Sequence, residues 1–414
     1  MLKNIPAVCI AFESHRPYLL RPYSFFDIGK EHRYDDDEGN RKIINKIADN
    51  CYIPANRVLL ELMRQYGGEF RLAFSLSGVF LEQLEMYRPD VIASFQELGL
   101  TGCVEFLSES YYHSFAFLSS SRDFSEQVAM QDQKIRELFG QKPVTLKYTE
   151  LFYSNALALL AEEMGYQTIL ADGNEKILGL RSPNFVYHPA GLGNLTLLLK
   201  NNGLSDDIAL RFGDSQWSEY PLKADKFAVW LQQLRESSDV INLFMDYETF
   251  GEHQRQETGI FEFMRALPRE IMERSGFRFQ KPTEATRDHA PAAQLDLSNP
   301  LSRAGRERDL SAWLGNVMQQ DAIRALYDLE DPVRAKNDAA LLNDWRKLQA
   351  SDHFYYMNTE RLVEKDVSKP FTPYESPYDA YINYMNIMDD FSRRLGSGGR
   401  MSWKKRKLGA ASRP

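Results

Sequence analysis

The sequence has no apolar run long enough to cross a membrane and only three cysteines among its 414 residues. Cys9, Cys51 and Cys103 lack the C-x-x-C spacing of a metal or redox site, and such sparse cysteines are typical of a reducing compartment. The short apolar stretch at 5–12 is followed by Glu13 and has no small-residue cleavage site, so it predicts a first strand. We therefore expect a soluble cytoplasmic protein without a membrane segment.

A net positive charge and phosphate-binding loops are also missing. The formal net charge is -8 and the isoelectric point is near 5.6, which argues against general affinity for nucleic acids or anionic membranes because both need a positive field. Neither G-x-G-x-x-G nor G-x-x-x-x-G-K-[ST] occurs, so the usual nucleotide-cradling loops are absent and we expect no cofactor.

Hydrophobic residues make up 43% of the chain, enough for a sizeable core. A neutral polymer is a possible substrate.

Short apolar stretches alternate with helical patterns through the first 250 residues. Strands are predicted at 5–12, 70–76, 102–107, 143–147, 167–170 and 240–245, and helices at 56–66, 125–138 and 155–164. This alternation is typical of a parallel sheet with crossover helices. An open doubly wound sheet and a closed barrel both fit it. Polar residues follow at least five of the strands, which favours a barrel with one shared mouth.

The composition changes after residue 280. Three prolines and little periodic apolarity between Lys281 and Pro300 predict a linker or a domain boundary. Helical stripes then follow, formed by Leu310, Trp313, Leu314 and Val317, by Leu341, Leu342, Trp345 and Leu348, and by Tyr378, Tyr381, Met385 and Met388. We predict a barrel domain at 1–290, a helical subdomain at 300–395 that completes the site at the mouth of the barrel, and a flexible basic tail at 396–414.

Four clusters of polar side chains follow the predicted strands. They are Glu13 with His15, Glu105 with His113, Glu150 alone, and Asp246 with Glu248 and His253. Cleavage of a glycosidic bond needs two carboxylates delivered from different strand ends, one at the anomeric carbon and one at the leaving oxygen. Structural roles remain open for each candidate, because a carboxylate also caps a helix and a buried one also forms salt bridges.

Five segments in order carry a family resemblance. They read H-R-P at 15–17, G-C-V-E-F-L at 102–107, Y-T-E-L at 148–151, M-D-Y-E-T-F-G-E-H at 245–253 and S-D-H-F-Y-Y at 351–356. Together they resemble glycoside hydrolase family 57, and most closely its α-amylase branch. The resemblance implies an incomplete (β/α)7 barrel followed by a C-terminal α-helical region, acting on α-1,4-glucans by a retaining mechanism without a metal.

The resemblance also implies roles for particular residues. Glu150 matches the family nucleophile and Asp246 the general acid/base. The predicted substrate-binding residues are His15, Glu105, His113, Lys147, Glu248, His253, Asp352 and His353. Arg16 stands where the family carries glutamine, and Lys147 and His353 stand where other branches carry tryptophan. These departures affect sugar stacking and hence substrate size, and leave both catalytic roles in place.

Three alternatives accompany this interpretation. A 4-α-glucanotransferase or branching enzyme would use the same double displacement with a sugar hydroxyl in place of water. A metal-dependent carbohydrate enzyme of deacetylase or mannosidase type would need clustered ligands, but the first strand ends in E-S-H-R-P rather than a His-x-Asp pair. A non-catalytic glucan-binding protein is disfavoured by the presence of both carboxylates. The sequence indicates no oligomeric state.

Overall fold

A computed structural model describes residues 5–174, 178–296, 302, 309–360 and 372–396. Its strands are β1 Ala7–Ser14, β2 Leu72–Leu76, β3 Val104–Phe106, β4 Thr145–Lys147, β5 Thr168–Ala171, β6 Val186–Pro189, β7 Thr196–Leu199, β8 Val240–Asp246, β9 Arg278–Phe279 and β10 Ala293–Leu295. One sheet has the order β3-β2-β1-β8, with β9 also paired to β1, and the other has the order β10-β6-β7-β5-β4. All pairings are parallel except that of β6 with β7.

Two single bridges connect the sheets. Ser108, beyond β3, pairs in parallel with Leu146 of β4, and Lys200, beyond β7, pairs in parallel with Asn242 of β8. Backbone pairing therefore runs continuously through β3, β2, β1, β8, β7, β5 and β4 and back to β3. Because parallel strands point the same way, their carboxyl ends meet at one edge of this ring.

Helices cover the ring and continue beyond it. Their bounds are α1 Asp37–Ile47, α2 Ile53–Gln65, α3 Gly78–Tyr87, α4 Pro89–Leu100, α5 Ala116–Ser119, α6 Ser121–Phe139, α7 Asn155–Glu163, α8 Asn202–Ala209, α9 Ala224–Leu234, α10 Ile260–Glu270, α11 Pro282–Asp288, α12 Ser311–Leu314, α13 Val317–Tyr327, α14 Glu330–Ala335, α15 Ala339–Lys347, α16 Ser351–Tyr355 and α17 Pro377–Arg394. Among the described residues, no helix has the length and apolarity of a membrane span.

The local sequence explains several of these bounds. The side chain of Ser120 accepts a hydrogen bond from the backbone of Asp123 and so caps the start of α6, and α6 ends at Gly140, whose φ of 67° favours glycine. Ser376 caps α17 in the same way. Strand β8 is buried over six of its seven residues, as expected for a strand covered on both faces.

Helices α12 to α17 share an apolar core with one side of the ring. Trp313, Trp345 and Phe391 belong to the same buried cluster as Tyr148 and Ile169. Burial of large aromatic side chains contributes strongly to stability, at about 25 cal/mol per Å² of apolar surface removed from water. The helices therefore hold the C-terminal part of the chain against the strands that carry the site.

The α/β class with a parallel sheet and helices is confirmed, and each of the six predicted strands overlaps an observed one. The prediction of a linker from Lys281 was wrong for 282–295, where α11 forms and β10 pairs with β6. Val317 begins a separate helix and is exposed, so it does not share a buried face with Trp313. The prediction for the basic tail falls outside the described residues, apart from Gly396.

Candidate active site

A cavity of about 670 Å³ opens at the carboxyl edge of the ring. Its charged lining residues come from the ends of β1, β4, β7 and β8, from the neighbouring loops and from α8 and α16. They are Glu13, His15, Arg16, His113, Glu150, Lys200, Asp206, Asp246, Glu248, His253 and Asp352. Parallel strands gather these side chains although they are far apart in sequence.

The ends of β1 and β8 lie side by side at the cavity floor. Glu13 and Asp246 are register partners across this pair of strands, and Glu13 is also the partner of Ser75 in β2. Asp246 is half-buried and lines the cavity. The register places Glu13 and Asp246 at the same height, because a slip of β8 by one residue would turn the Asp246 side chain to the other face of the sheet.

Glu150 lies in a strained turn after β4. The φ angles of Glu150 and Leu151 are 58° and 52°, in the left-handed region, where a non-glycine residue costs about 1–3 kcal/mol. The preceding Thr149 stabilises the turn, since its hydroxyl donates to the carbonyl of Ser114 at 2.9 Å and lies 3.0 Å from the hydroxyl of Ser110. The fold thus holds the Glu150 carboxylate at the cavity wall.

His113 contacts Glu150 directly. Its Nε2 is 3.5 Å from Glu150 Oε1 and 3.6 Å from Glu13 Oε1, and its Nδ1 is 2.9 Å from Glu109 Oε2. Burial and the Lys147 ammonium disfavour the charged ring, yet hydrogen bonds to Glu109 and Glu150 raise the pKa of His113 to about 9. At neutral pH, His113 is therefore a cation that donates from both nitrogens.

A buried ion pair of Lys147 with Glu13 lies under this group. Glu13, Glu109 and His113 each place a possible metal-ligand atom within 4.8 Å of the others. The Lys147 ammonium contacts Glu13, however, and His113 Nδ1 is engaged by Glu109. These residues therefore fit an ion-pair network of protonated side chains and carboxylates better than a metal site, whose ligand atoms need lone pairs free to bind the ion.

His15 connects β1 to the C-terminal helices. Burial lowers the pKa of His15, so the neutral ring accepts at Nδ1 from Ser77 Oγ, 2.7 Å away, and donates at Nε2 to Asp352 Oδ2, 2.9 Å away. Burial opposes ionisation of Asp352, but its contact with the His15 ring and the positive charge of His113 lower the pKa of that carboxyl to about 2. The rings of His15 and His113 are stacked 4.0 Å apart.

The third polar group surrounds Glu248. The hydroxyl of Tyr52 donates to Glu248 Oε1 at 2.5 Å, and Arg16 lies 3.7 Å from the same oxygen. Burial raises the pKa of Glu248, although Arg16 and the Tyr52 hydrogen bond act in the opposite direction. The positive charge of Arg16 therefore balances the negative charge of the buried Glu248 carboxylate. His253 lies at the exposed rim of the same cavity.

Seven of the ten predicted site residues line this cavity: Glu150, Asp246, His15, His113, Glu248, His253 and Asp352. The other three do not line it. Glu105 lies outside the cavity, where its carboxylate accepts from Thr145 and Thr283. His353 is buried away from the lining, next to Tyr384. Lys147 is below the floor and contacts Glu13 rather than the cavity space.

The structure also adds residues that the sequence did not assign to the site. Trp313 and Tyr355 give the cavity an aromatic wall, while Lys200 and Asp206 form an ion pair of 3.0 Å at its edge. Glu109 lies behind His113. The spacing of four residues between Glu109 and His113 was the sequence feature that could have identified Glu109. The motif at 102–107 contains Glu105 instead, so the prediction named Glu105.

A parallel ring that delivers two carboxylates into one cavity defines an α/β protein whose chemistry sits at the carboxyl edge of its strands. The model of glycosyl hydrolase family 57 matches residues 9–298. A protein of Methanocaldococcus jannaschii named "Putative alpha-amylase" is 38% identical over 397 residues, which cover 92% of this chain and 83% of that protein. The chain belongs to glycosyl hydrolase family 57.

Solved structures share the fold. A GH57 branching enzyme from Thermococcus kodakaraensis superposes with a TM-score of 0.70 and 14% identity, over 94% of this chain and 90% of that chain. The 4-alpha-glucanotransferase from Thermococcus litoralis gives a TM-score of 0.61 and 16% identity, over 84% of this chain and 56% of that chain. At these identities the likeness concerns the fold alone.

Proposed function

We propose that this protein is a retaining glycoside hydrolase of the α-amylase type that acts on α-1,4-glucans. The observation that carries the proposal is that Glu150 and Asp246, from the ends of two strands of the ring, line one cavity. Membership of glycosyl hydrolase family 57 and the 38% identical relative support the substrate class. We also infer that the ring is the incomplete seven-stranded barrel of the family, followed by the helical region α12 to α17.

In the proposed mechanism, Glu150 attacks the anomeric carbon while Asp246 donates a proton to the leaving sugar oxygen. The bond from the anomeric carbon to that oxygen breaks and a glycosyl ester with Glu150 forms. Asp246 then takes a proton from water, which attacks the same carbon and releases Glu150. The His113 imidazolium favours the ionised form of the attacking carboxylate, since an adjacent positive charge stabilises a carboxylate.

The other lining groups position the sugar. Trp313 and Tyr355 offer aromatic faces on which a pyranose ring can stack, as amphipathic aromatic side chains do in binding sites. Asp352, held in place by His15, and the pair of Arg16 with Glu248 present polar atoms at the cavity lining to hydroxyl groups. A cavity with a few convergent polar groups on a partly apolar wall suits an oligosaccharide.

The stereochemistry of the first product tests this proposal. Two displacements at the anomeric carbon restore its configuration, so proton NMR during early turnover of a maltooligosaccharide should show the α anomer first. A β anomer first would remove the nucleophile role of Glu150. Chromatography of the same reaction separates the alternatives, because products longer than the substrate would indicate a 4-α-glucanotransferase, and new branch points a branching enzyme.

A further inference from the structure

Glu109 is a buried carboxylate that the proposed mechanism leaves unused. It is 0% exposed and does not line the cavity. Its Oε1 accepts from Ser75 Oγ at 2.7 Å, and its Oε2 lies 2.9 Å from His113 Nδ1. Burial opposes its ionisation, but the charge of Lys147 and the His113 hydrogen bond lower the pKa of Glu109. A buried anion held by two hydrogen bonds requires a structural or functional explanation.

The ring of His113 has little freedom to move. The backbone N–H of His113 donates to Ser110 at 2.8 Å, and its carbonyl accepts from the N–H of Ser351 at 3.0 Å. Its φ of 51° is an unusual, fixed conformation, and its ring stacks on His15 at 4.0 Å. With Nδ1 directed at Glu109, the opposite nitrogen faces Glu150.

The charges that face this ring come from several elements. The carboxylates of Glu109, Glu150 and Glu13 lie at 2.9, 3.5 and 3.6 Å from its nitrogens. The Lys147 ammonium, paired with Glu13, opposes protonation of the ring, and neutral His15 covers one face. Among the carboxylates, Glu109 is the nearest and the most deeply buried.

We propose that Glu109 is a positioning residue that keeps His113 protonated, so that the Nε2–H of His113 is directed at the carboxylate of Glu150. The proposal rests on the nucleophile role of Glu150 given above. Without the Glu109 charge, His113 becomes neutral at lower pH, and the Nε2 lone pair then faces the Glu150 oxygens. The donated hydrogen bond would be replaced by repulsion between two acceptors.

The test variant is Glu109→Gln, which keeps the size and the acceptor oxygen but removes the charge. In wild-type protein, proton NMR of the histidine rings should give a His113 midpoint near pH 9, as its raised pKa implies. The His113 signal among the seven histidines is identified by its loss in His113→Gln. In Glu109→Gln the midpoint should fall by about one pH unit or more, because one adjacent opposite charge is worth that much.

The second measurement is the pH profile of kcat/KM on an aryl α-maltoside with a good leaving group. Such a leaving group needs no proton from Asp246, so the basic limb of the profile reports on the attacking side. In Glu109→Gln this limb should move to lower pH by the same amount as the NMR midpoint. Glu109→Asp keeps the charge and should restore both values toward wild type. The control Glu270→Gln changes a buried, ion-paired carboxylate outside the cavity and should move neither.

Each outcome decides a separate step. An unchanged His113 midpoint in Glu109→Gln overturns the proposal at its first step, because the charge of Glu109 would then not control His113. A lowered midpoint with an unmoved kcat/KM profile overturns the second step, the effect on Glu150. If the wild-type protein cleaves no activated α-glucoside while the midpoint still shifts, the proposed function is wrong and only the control of His113 by Glu109 stands.

Discussion

At the scale of single residues, two carboxylates in very different surroundings share the cavity. Glu150 occupies a left-handed turn beside a protonated histidine, whereas Asp246 extends from the last position of the long strand β8. A nucleophile must be ionised when a general acid still holds its proton, and the cation next to Glu150 favours the ionised form of that carboxylate. This difference motivates a paired substitution.

We expect Glu150→Gln and Asp246→Asn each to lower kcat on soluble starch by at least about 10²-fold, the lower end of what general acid and base catalysis contributes. Circular dichroism and binding of a maltooligosaccharide should change little, since neither substitution alters side-chain size. Glu257→Gln, an exposed carboxylate outside the cavity lining, is the control and should retain full turnover. Near-normal turnover in either cavity variant would contradict the role assigned to that residue.

At the scale of elements, a buried ionic cluster joins α6 to α14 and α15. Asp123 of α6 is 0% exposed and contacts Arg334 at 2.9 Å and Arg346 at 2.7 Å. Its second oxygen accepts from Gln127 at 2.7 Å and Gln349 at 3.0 Å. The cluster fixes the C-terminal helices against the helix that precedes β4, and therefore against the strand leading to Glu150.

Asp123→Asn should lower the free energy of unfolding by about 3 kcal/mol, because it removes the fully buried carboxylate that faces both Arg334 and Arg346 and leaves these guanidinium groups only the more exposed Glu126 and Glu330. Urea denaturation followed by circular dichroism measures this change. The matched control is Arg122→Ala on the same helix, which removes an exposed pair with Glu126 and should cost less than about 0.5 kcal/mol. Equal effects of the two substitutions would show that the cluster does not stabilise this helix junction.

At the scale of the whole molecule, the cavity is completed by parts of the chain that are more than three hundred residues apart. Asp352 of α16 reaches His15 after β1, and the preceding Ser351 donates to the carbonyl of His113. The lowered pKa of Asp352 means that folding stabilises its ionised form. The attachment of the C-terminal helices should therefore depend on pH.

A carboxyl group with a depressed folded-state pKa adds stability above its unfolded pKa, near 3.9, and loses it as the pH falls through the folded value. With a folded pKa of about 2, Asp352→Asn should lower the free energy of unfolding by about 2 kcal/mol at pH 7. The difference from wild type should fade between about pH 4 and about pH 2. Thermal or urea unfolding across this range measures it.

Asp331→Asn serves as the control for this pH series, because Asp331 is exposed at the start of α14 and its substitution should change stability by less than about 0.5 kcal/mol at any of these pH values. A constant deficit of Asp352→Asn down to pH 2 would mean that packing, rather than the charge of Asp352, accounts for its contribution.

The strands and the family could be predicted from local sequence patterns alone. Apolar stretches of strand length that end in polar residues are local features, and each of the six predicted strands overlaps an observed one. Each motif is a contiguous stretch of sequence and can be recognised without the fold. Membership of glycosyl hydrolase family 57 could therefore be predicted from five short segments. Local pattern was less informative for β6, β7, β9 and β10, which are short and depend on their pairing partners.

Which polar side chains contact one another depends on how the strands and turns pack in three dimensions. Glu105 and Glu109 are four residues apart, yet Glu105 is bound by Thr145 and Thr283 outside the cavity while Glu109 contacts His113. These different contacts follow from the strand register and from the strained turns at His113 and Glu150. The periodicity of the sequence contains no information on either feature. Lys147 is predicted to bind the substrate, but in the structure its ammonium group forms an ion pair with Glu13. A buried ammonium group needs a counterion nearby, and here the counterion comes from another strand.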